Sequence, residues 1–179
     1  GAFQAHFGDN SFEREEDLQQ MVADMRTVCE ERPGWQPTGL DKGTCYHAIG
    51  HSMLYVGKAD IARSLALCRD IAGDAYKKVC LDGLFMQLFQ PVAEEDRLLV
   101  ENVVPPPQER AVREFCGQFN GQAYASCWTN AWAWLFFEGD GSVNDTPVSV
   151  EKFCAAAGTV SSAAYCRENL FYVIASWVQ

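Results

Sequence analysis

Two histidines four residues apart, His47 and His51, stand in the segment CYHAIGHSM. On a helix that spacing sets both imidazoles on one face, within reach of a single metal ion. A plainer reading makes them two polar rings edging an apolar groove, since His-x-x-x-His without an intervening helical Glu is a weak motif. The only other histidine, His6 in QAHFGD, could fold back over the pair. His6, His47 and His51 would then form a three-nitrogen site with an open position, which suits catalytic zinc or a copper centre. His6 reads equally well as an idle residue near the N-terminus.

These residues gain meaning from the cysteines around them. Cys29, Cys45, Cys68, Cys80, Cys116, Cys127, Cys154 and Cys166 are even in number, and no Cys-x-x-Cys occurs. Zinc ribbons, c-type haem attachment and thioredoxin-like redox sites need that close spacing, so the cysteines read as four disulfides in an oxidising compartment. Successive pairs enclose 15, 11, 10 and 11 residues, and their flanks are alike: LALCRD, REFCGQ and EKFCAA before, CLDGLFMQLF, CWTNAWAWLFF and CRENLFYVIA after. A self-similar unit of roughly 40 residues predicts helical hairpins stacked as a short solenoid, each clamped by its own bridge. The expected pairs are Cys29–Cys45, Cys68–Cys80, Cys116–Cys127 and Cys154–Cys166, although eight cysteines allow 105 connectivities.

Aligned on the second cysteine, the position two residues later holds His47, Asp82, Thr129 and Glu168, and the position six later holds His51, Met86, Ala133 and Tyr172. The histidines belong to the first unit alone, as expected of a site grafted onto one repeat. Asp82 and Met86 of the next unit would face them, offering an oxygen and a thioether. His with Met favours copper, and His with Asp favours zinc or iron. Met86 also reads as core filler.

The elements that must carry these side chains follow from periodicity. Leu18, Met21, Val22, Met25 and Cys29 fall at three- and four-residue steps, after a capping box at Asn10 and Glu13. Helices are expected over residues 11–31, 44–56, 60–71, 74–90, 108–119, 122–138, 147–157 and 160–178, with an extra exposed one over 94–103 ended by Pro105, Pro106 and Pro107. Thr146 and Pro147 read as the cap and first residue of the helix over 147–157. The hairpins are then roughly 11–56, 58–90, 108–138 and 147–178. Strand-like alternation is missing, so the class is all-α, a single domain over 1–179. Its expected core is Leu65, Leu84, Leu88, Phe115, Phe119, Trp132, Phe153 and Phe171.

Composition narrows the function. Of 179 residues 48% are apolar, and the net charge of −10 argues against nucleic acid or an anionic membrane as partner. No signal-like segment opens the chain and no apolar run approaches a membrane span, so a signal or anchor is expected to have been removed from a periplasmic or secreted protein. Trp128, Trp132, Trp134, Phe136 and Phe137 could form a ligand platform but read first as a buried helix. The loop EGDGSVNDTP has Phe136 and Pro147 where a calcium loop needs acids. Asn144, Asp145 and Thr146 form a glycosylation sequon disfavoured by the following proline. With every cysteine assigned to a bridge, a thiol nucleophile is not expected.

The residues CYHAIGH, LALCRD and CLDGLFMQ, over about 44–90, resemble a family of bacterial exported or membrane-anchored proteins with a Cys-x-His-x-x-Gly-His signature and a later Cys-x-x-Gly-x-Phe-Met. The chain departs from that pattern at Gln87, where the family has an acidic residue. The cysteine-clamped hairpins also resemble tetratricopeptide-type repeats. The resemblance implies export and a special role for His47 and His51, and no particular reaction. Two functions remain: an exported copper- or zinc-binding protein, acting as carrier or small metalloenzyme, or a metal-free scaffold that takes a peptide or protein partner in its solenoid groove.

Overall fold

In the computed structural model the described residues are 15–137 together with Cys154, Ala155, Ala163, Ala164, Cys166 and Arg167. His6, the Asn10–Glu13 cap, the sequon, the calcium-like loop, Phe153, Phe171 and, apart from those six residues, the helices expected over 147–157 and 160–178 lie outside them. Seven helices are described: α1 (Glu15–Val28), α2 (Gly39–Val56), α3 (Ile61–Ile71), α4 (Lys77–Phe89), α5 (Glu94–Val100), α6 (Glu109–Cys116) and α7 (Gly121–Phe137). Among the described residues there is no strand beyond one isolated bridge between Arg32 and Trp35. The all-α class is therefore the one observed. The chain divides into two compact units, 1–104 and 105–179.

Capping chemistry explains the helix boundaries. Helix α2 begins five residues before the expected Thr44, because Thr38 and Asp41 form a reciprocal capping box. The Asp41 N–H donates to Thr38 Oγ1 at 3.2 Å and the Thr38 N–H to Asp41 Oδ2 at 2.8 Å, satisfying donors that a helix start leaves unpaired. Helix α2 closes on Gly57, whose N–H donates to Met53 O. Two left-handed residues follow, Lys58 and Ala59, with φ of 54° and 60°. Asp60 then caps α3 by accepting from the Arg63 N–H at 3.0 Å. Ser64 Oγ donates to Met53 O at 2.9 Å, fastening the start of α3 to the end of α2. Helix α4 starts at Lys77 rather than 74, since Gly73–Tyr76 is a turn closed by Tyr76 N–H to Gly73 O at 2.8 Å. Helix α5 stops at Val100, three residues short of the expected end.

The core of the first unit takes Met21 and Met25 from α1, Ile49, Met53 and Leu54 from α2, Leu65 and Ile71 from α3, and Leu84, Phe85, Leu88 and Phe89 from α4, all buried. In the second unit Val112, Trp128, Ala131 and Trp132 are buried. Phe115 and Phe119, expected in the core, are only half-buried. They meet edge to face at 5.3 Å across the turn after α6, and so shield one another.

The four expected disulfides are the four observed, Cys29–Cys45, Cys68–Cys80, Cys116–Cys127 and Cys154–Cys166, and no cysteine is free. Each joins the end of one helix to the next in the three described hairpins. The Cα separations of 5.5–5.7 Å are ordinary for the bond. Four bridges suit an oxidising extracellular environment. Among the described residues no helix is long and apolar enough to cross a membrane.

Candidate functional site

The site is built on the contact between α2 and α4, where two glycines meet. A Cβ added to Gly50 would lie 2.1 Å from the Cys80 carbonyl oxygen, and one added to Gly83 would lie 2.1 Å from the His47 carbonyl oxygen. The helices thus touch backbone to backbone, an approach only glycine permits. His47 meets Val79, Gly50 meets Gly83 and His51 meets Gln87, so the two helices run in the same direction.

Beside this contact runs a row of polar side chains at four-residue steps on α2: His47, His51 and Tyr55. The two imidazoles stand edge to face with ring centres 4.9 Å apart. Burial holds the His47 imidazolium below its ordinary range, helped by the neighbouring charge of His51 and, more weakly, Lys78; the Asp82 carboxylate and a hydrogen bond with the Val79 backbone oppose the shift. Burial also lowers the pKa of His51, against the hydrogen bond that Gln87 accepts from its ring and the charge of Asp96. Both rings are therefore neutral at pH 7, and each carries one nitrogen lone pair.

Of the residues expected to complete a coordination sphere, Asp82 faces His47 closely enough to act on its charge. Its carboxylate is also held by Lys78 Nζ, at 2.8 and 3.0 Å to its two oxygens. Met86 is half-buried one turn further along α4. His6 lies outside the described residues. Among the described residues no group of three His, Cys, Asp or Glu side chains could hold an ion, so the pair offers two nitrogens.

Sequence reasoning gave no role at the site to three participants, Gln87, Tyr55 and Asp96. Gln87, adjacent to Met86, places Oε1 3.0 Å from His51 Nδ1. It is 6% exposed, and its Nε2 has no hydrogen-bond partner. A buried orphan donor costs about 1–3 kcal/mol, so packing alone does not account for a glutamine here. One turn beyond His51, the Tyr55 hydroxyl donates to Asp96 Oδ1. Asp96, 6% exposed, also accepts from the Ala93 N–H at 3.1 Å. The step from His51 to Tyr55 was a signal available in the sequence; Gln87 stood out there only as a departure from the resembling pattern, and Asp96 carried no signal.

Of the tryptophans that could form a ligand platform, Trp128 and Trp132 belong to the core. Trp128 and Trp132 are 1% and 5% exposed, and half-buried Trp134 donates through Nε1 to the Pro105 carbonyl at 2.6 Å. No known protein family, curated protein or solved structure matches this chain.

Proposed function

We propose that this is an exported metal-binding protein in which His47 and His51 anchor a copper or zinc ion, acting as a carrier or a small metalloenzyme. The observation that carries the reading is the separation of the rings. Two imidazoles on one tetrahedral ion, with metal–nitrogen bonds of roughly 2.0–2.1 Å, have ring centres roughly 5 Å apart. The pair has centres 4.9 Å apart before any ion is added. Neutrality of both rings and placement on one rigid helix favour binding for the same reason: neither a proton nor a loose backbone has to be displaced first. Asp82, Met86 and His6 are the candidates for further ligands, and Asp82 would have to exchange Lys78 for the ion.

Elemental analysis and calorimetric titration of protein purified without a histidine tag test this directly. The expected result is one ion per chain, with binding lost in the double variant His47→Ala, His51→Ala and weakened in His6→Ala. Equal heats for the parent and the double variant would overturn it.

One set of observations favours a second reading, a metal-free scaffold whose stacked hairpins form a solenoid groove for a peptide or protein. No third ligand accompanies the pair among the described residues, while Val92 and Leu98, flanking the start and middle of α5, are 90% and 60% exposed. Under that reading the double variant leaves function intact.

A further inference from the structure

Gln87 is nine-tenths buried, and its oxygen faces the ring nitrogen of His51 that lies nearer the backbone. An amide oxygen accepts and cannot donate, so the hydrogen in this contact belongs to Nδ1 of the imidazole. A neutral histidine carries one ring proton, which leaves the lone pair on Nε2. Free histidine in water prefers the opposite arrangement, with the proton on Nε2. The amide oxygen therefore acts against the intrinsic preference of the ring.

The surroundings fix the amide in this role. Gln87 follows Gly83 by one turn of α4, as His51 follows Gly50 by one residue of α2, and the two glycines lock the helices in register. The unpartnered Nε2 of Gln87 shows that the side chain is not there to satisfy its own amide; its one polar contact is with the histidine. Metal-bound histidines commonly donate their second ring N–H to a fixed acceptor, which settles the tautomer and the ring plane.

We infer that Gln87 is a positioning residue for the histidine pair: its amide oxygen holds the His51 proton on Nδ1 and leaves the Nε2 lone pair as the one that ligates. The ligating half of this statement rests on the metal reading above. The tautomer half does not.

The test uses untagged protein labelled with nitrogen-15 at histidine, above the pH range in which histidine titrates. With only three histidines in the chain, long-range nitrogen–proton correlations give three separate ring patterns, and these distinguish the two tautomers. His51 of the parent is expected to be protonated at Nδ1. Gln87→Leu should move it to Nε2 and weaken zinc binding roughly 10- to 100-fold. Gln87→Glu, which keeps an acceptor oxygen, should restore both the tautomer and most of the affinity. A parent protein with His51 protonated at Nε2 overturns the inference without any variant, as does a Gln87→Leu protein that keeps the Nδ1 proton. If the parent shows the Nδ1 proton but zinc moves neither the His47 nor the His51 signals, the role of Gln87 in fixing the tautomer stands and the metal function falls.

Discussion

At the scale of single residues the histidines set how the first unit responds to mild acid. His47 and His51 bind protons less readily in the folded chain than in the unfolded one. Their stabilising contribution is complete above the unfolded value of about 6.5 and is lost as pH falls from there towards the depressed folded values. Denaturant titrations between about pH 7 and pH 5 should show that loss, and it should shrink in the double variant His47→Gln, His51→Gln. Glu30, Asp41 and Asp74 are lowered instead, each chiefly by a side-chain hydrogen bond, to Lys42, Thr38 and Lys77 respectively. Their contributions disappear only below the ordinary carboxylate range, so the two windows are separable. Tyr55→Phe removes the hydroxyl that donates to Asp96 and leaves that carboxylate with the Ala93 N–H as its remaining described donor. The expected cost is about 1.5–3 kcal/mol, read from the urea midpoint. The histidine spacing was legible because i, i+4 neighbours are decided within one helix. Gln87 was not, because its meeting with His51 depends on the register between two helices.

At the scale of elements that register comes from the glycine contact. Gly50→Ala would put a methyl group 2.1 Å from the Cys80 carbonyl oxygen, backbone that cannot rotate aside. Its cost should reach or exceed the roughly 1–3 kcal/mol of ordinary overpacking. Gly43, also in α2, has nothing within 4 Å of its added Cβ. Gly43→Ala should therefore gain up to about 1 kcal/mol from helix propensity. Thermal melts of the two variants ought to move in opposite directions, and similar shifts would show that α2 and α4 are not in contact there. The same local and non-local division runs through the helix boundaries. The helix expected over 60–71 is α3 to within one residue, since its apolar residues Ile61, Leu65 and Cys68 recur at helical steps. The start of α2 was missed because Pro37 and Gly39 look like loop, and the Thr38–Asp41 box uses an aspartate where the stronger signature has Glu or Gln.

At the scale of the molecule the cysteine spacing was the most legible feature of all, since three of four gaps agree within a residue and a bridge within a hairpin needs no knowledge of how hairpins stack. The Pro105–Pro107 run was read as the end of an extra helix; it also begins the second compact unit, which helix periodicity alone does not announce. Peptide mapping without reduction should return only the four neighbouring pairs. Reduction should lower stability by about 2–4 kcal/mol for each loop opened, on the account in which bridges restrict the unfolded chain. Because every cysteine pairs with its immediate neighbour along the chain, the native set would also be the order in which the thiols appear were the polypeptide delivered N-terminus first into an oxidising compartment. An oxidant that joins each new thiol to the one just delivered makes the correct bridges by timing alone, and oxidative folding then requires no later shuffling of partners.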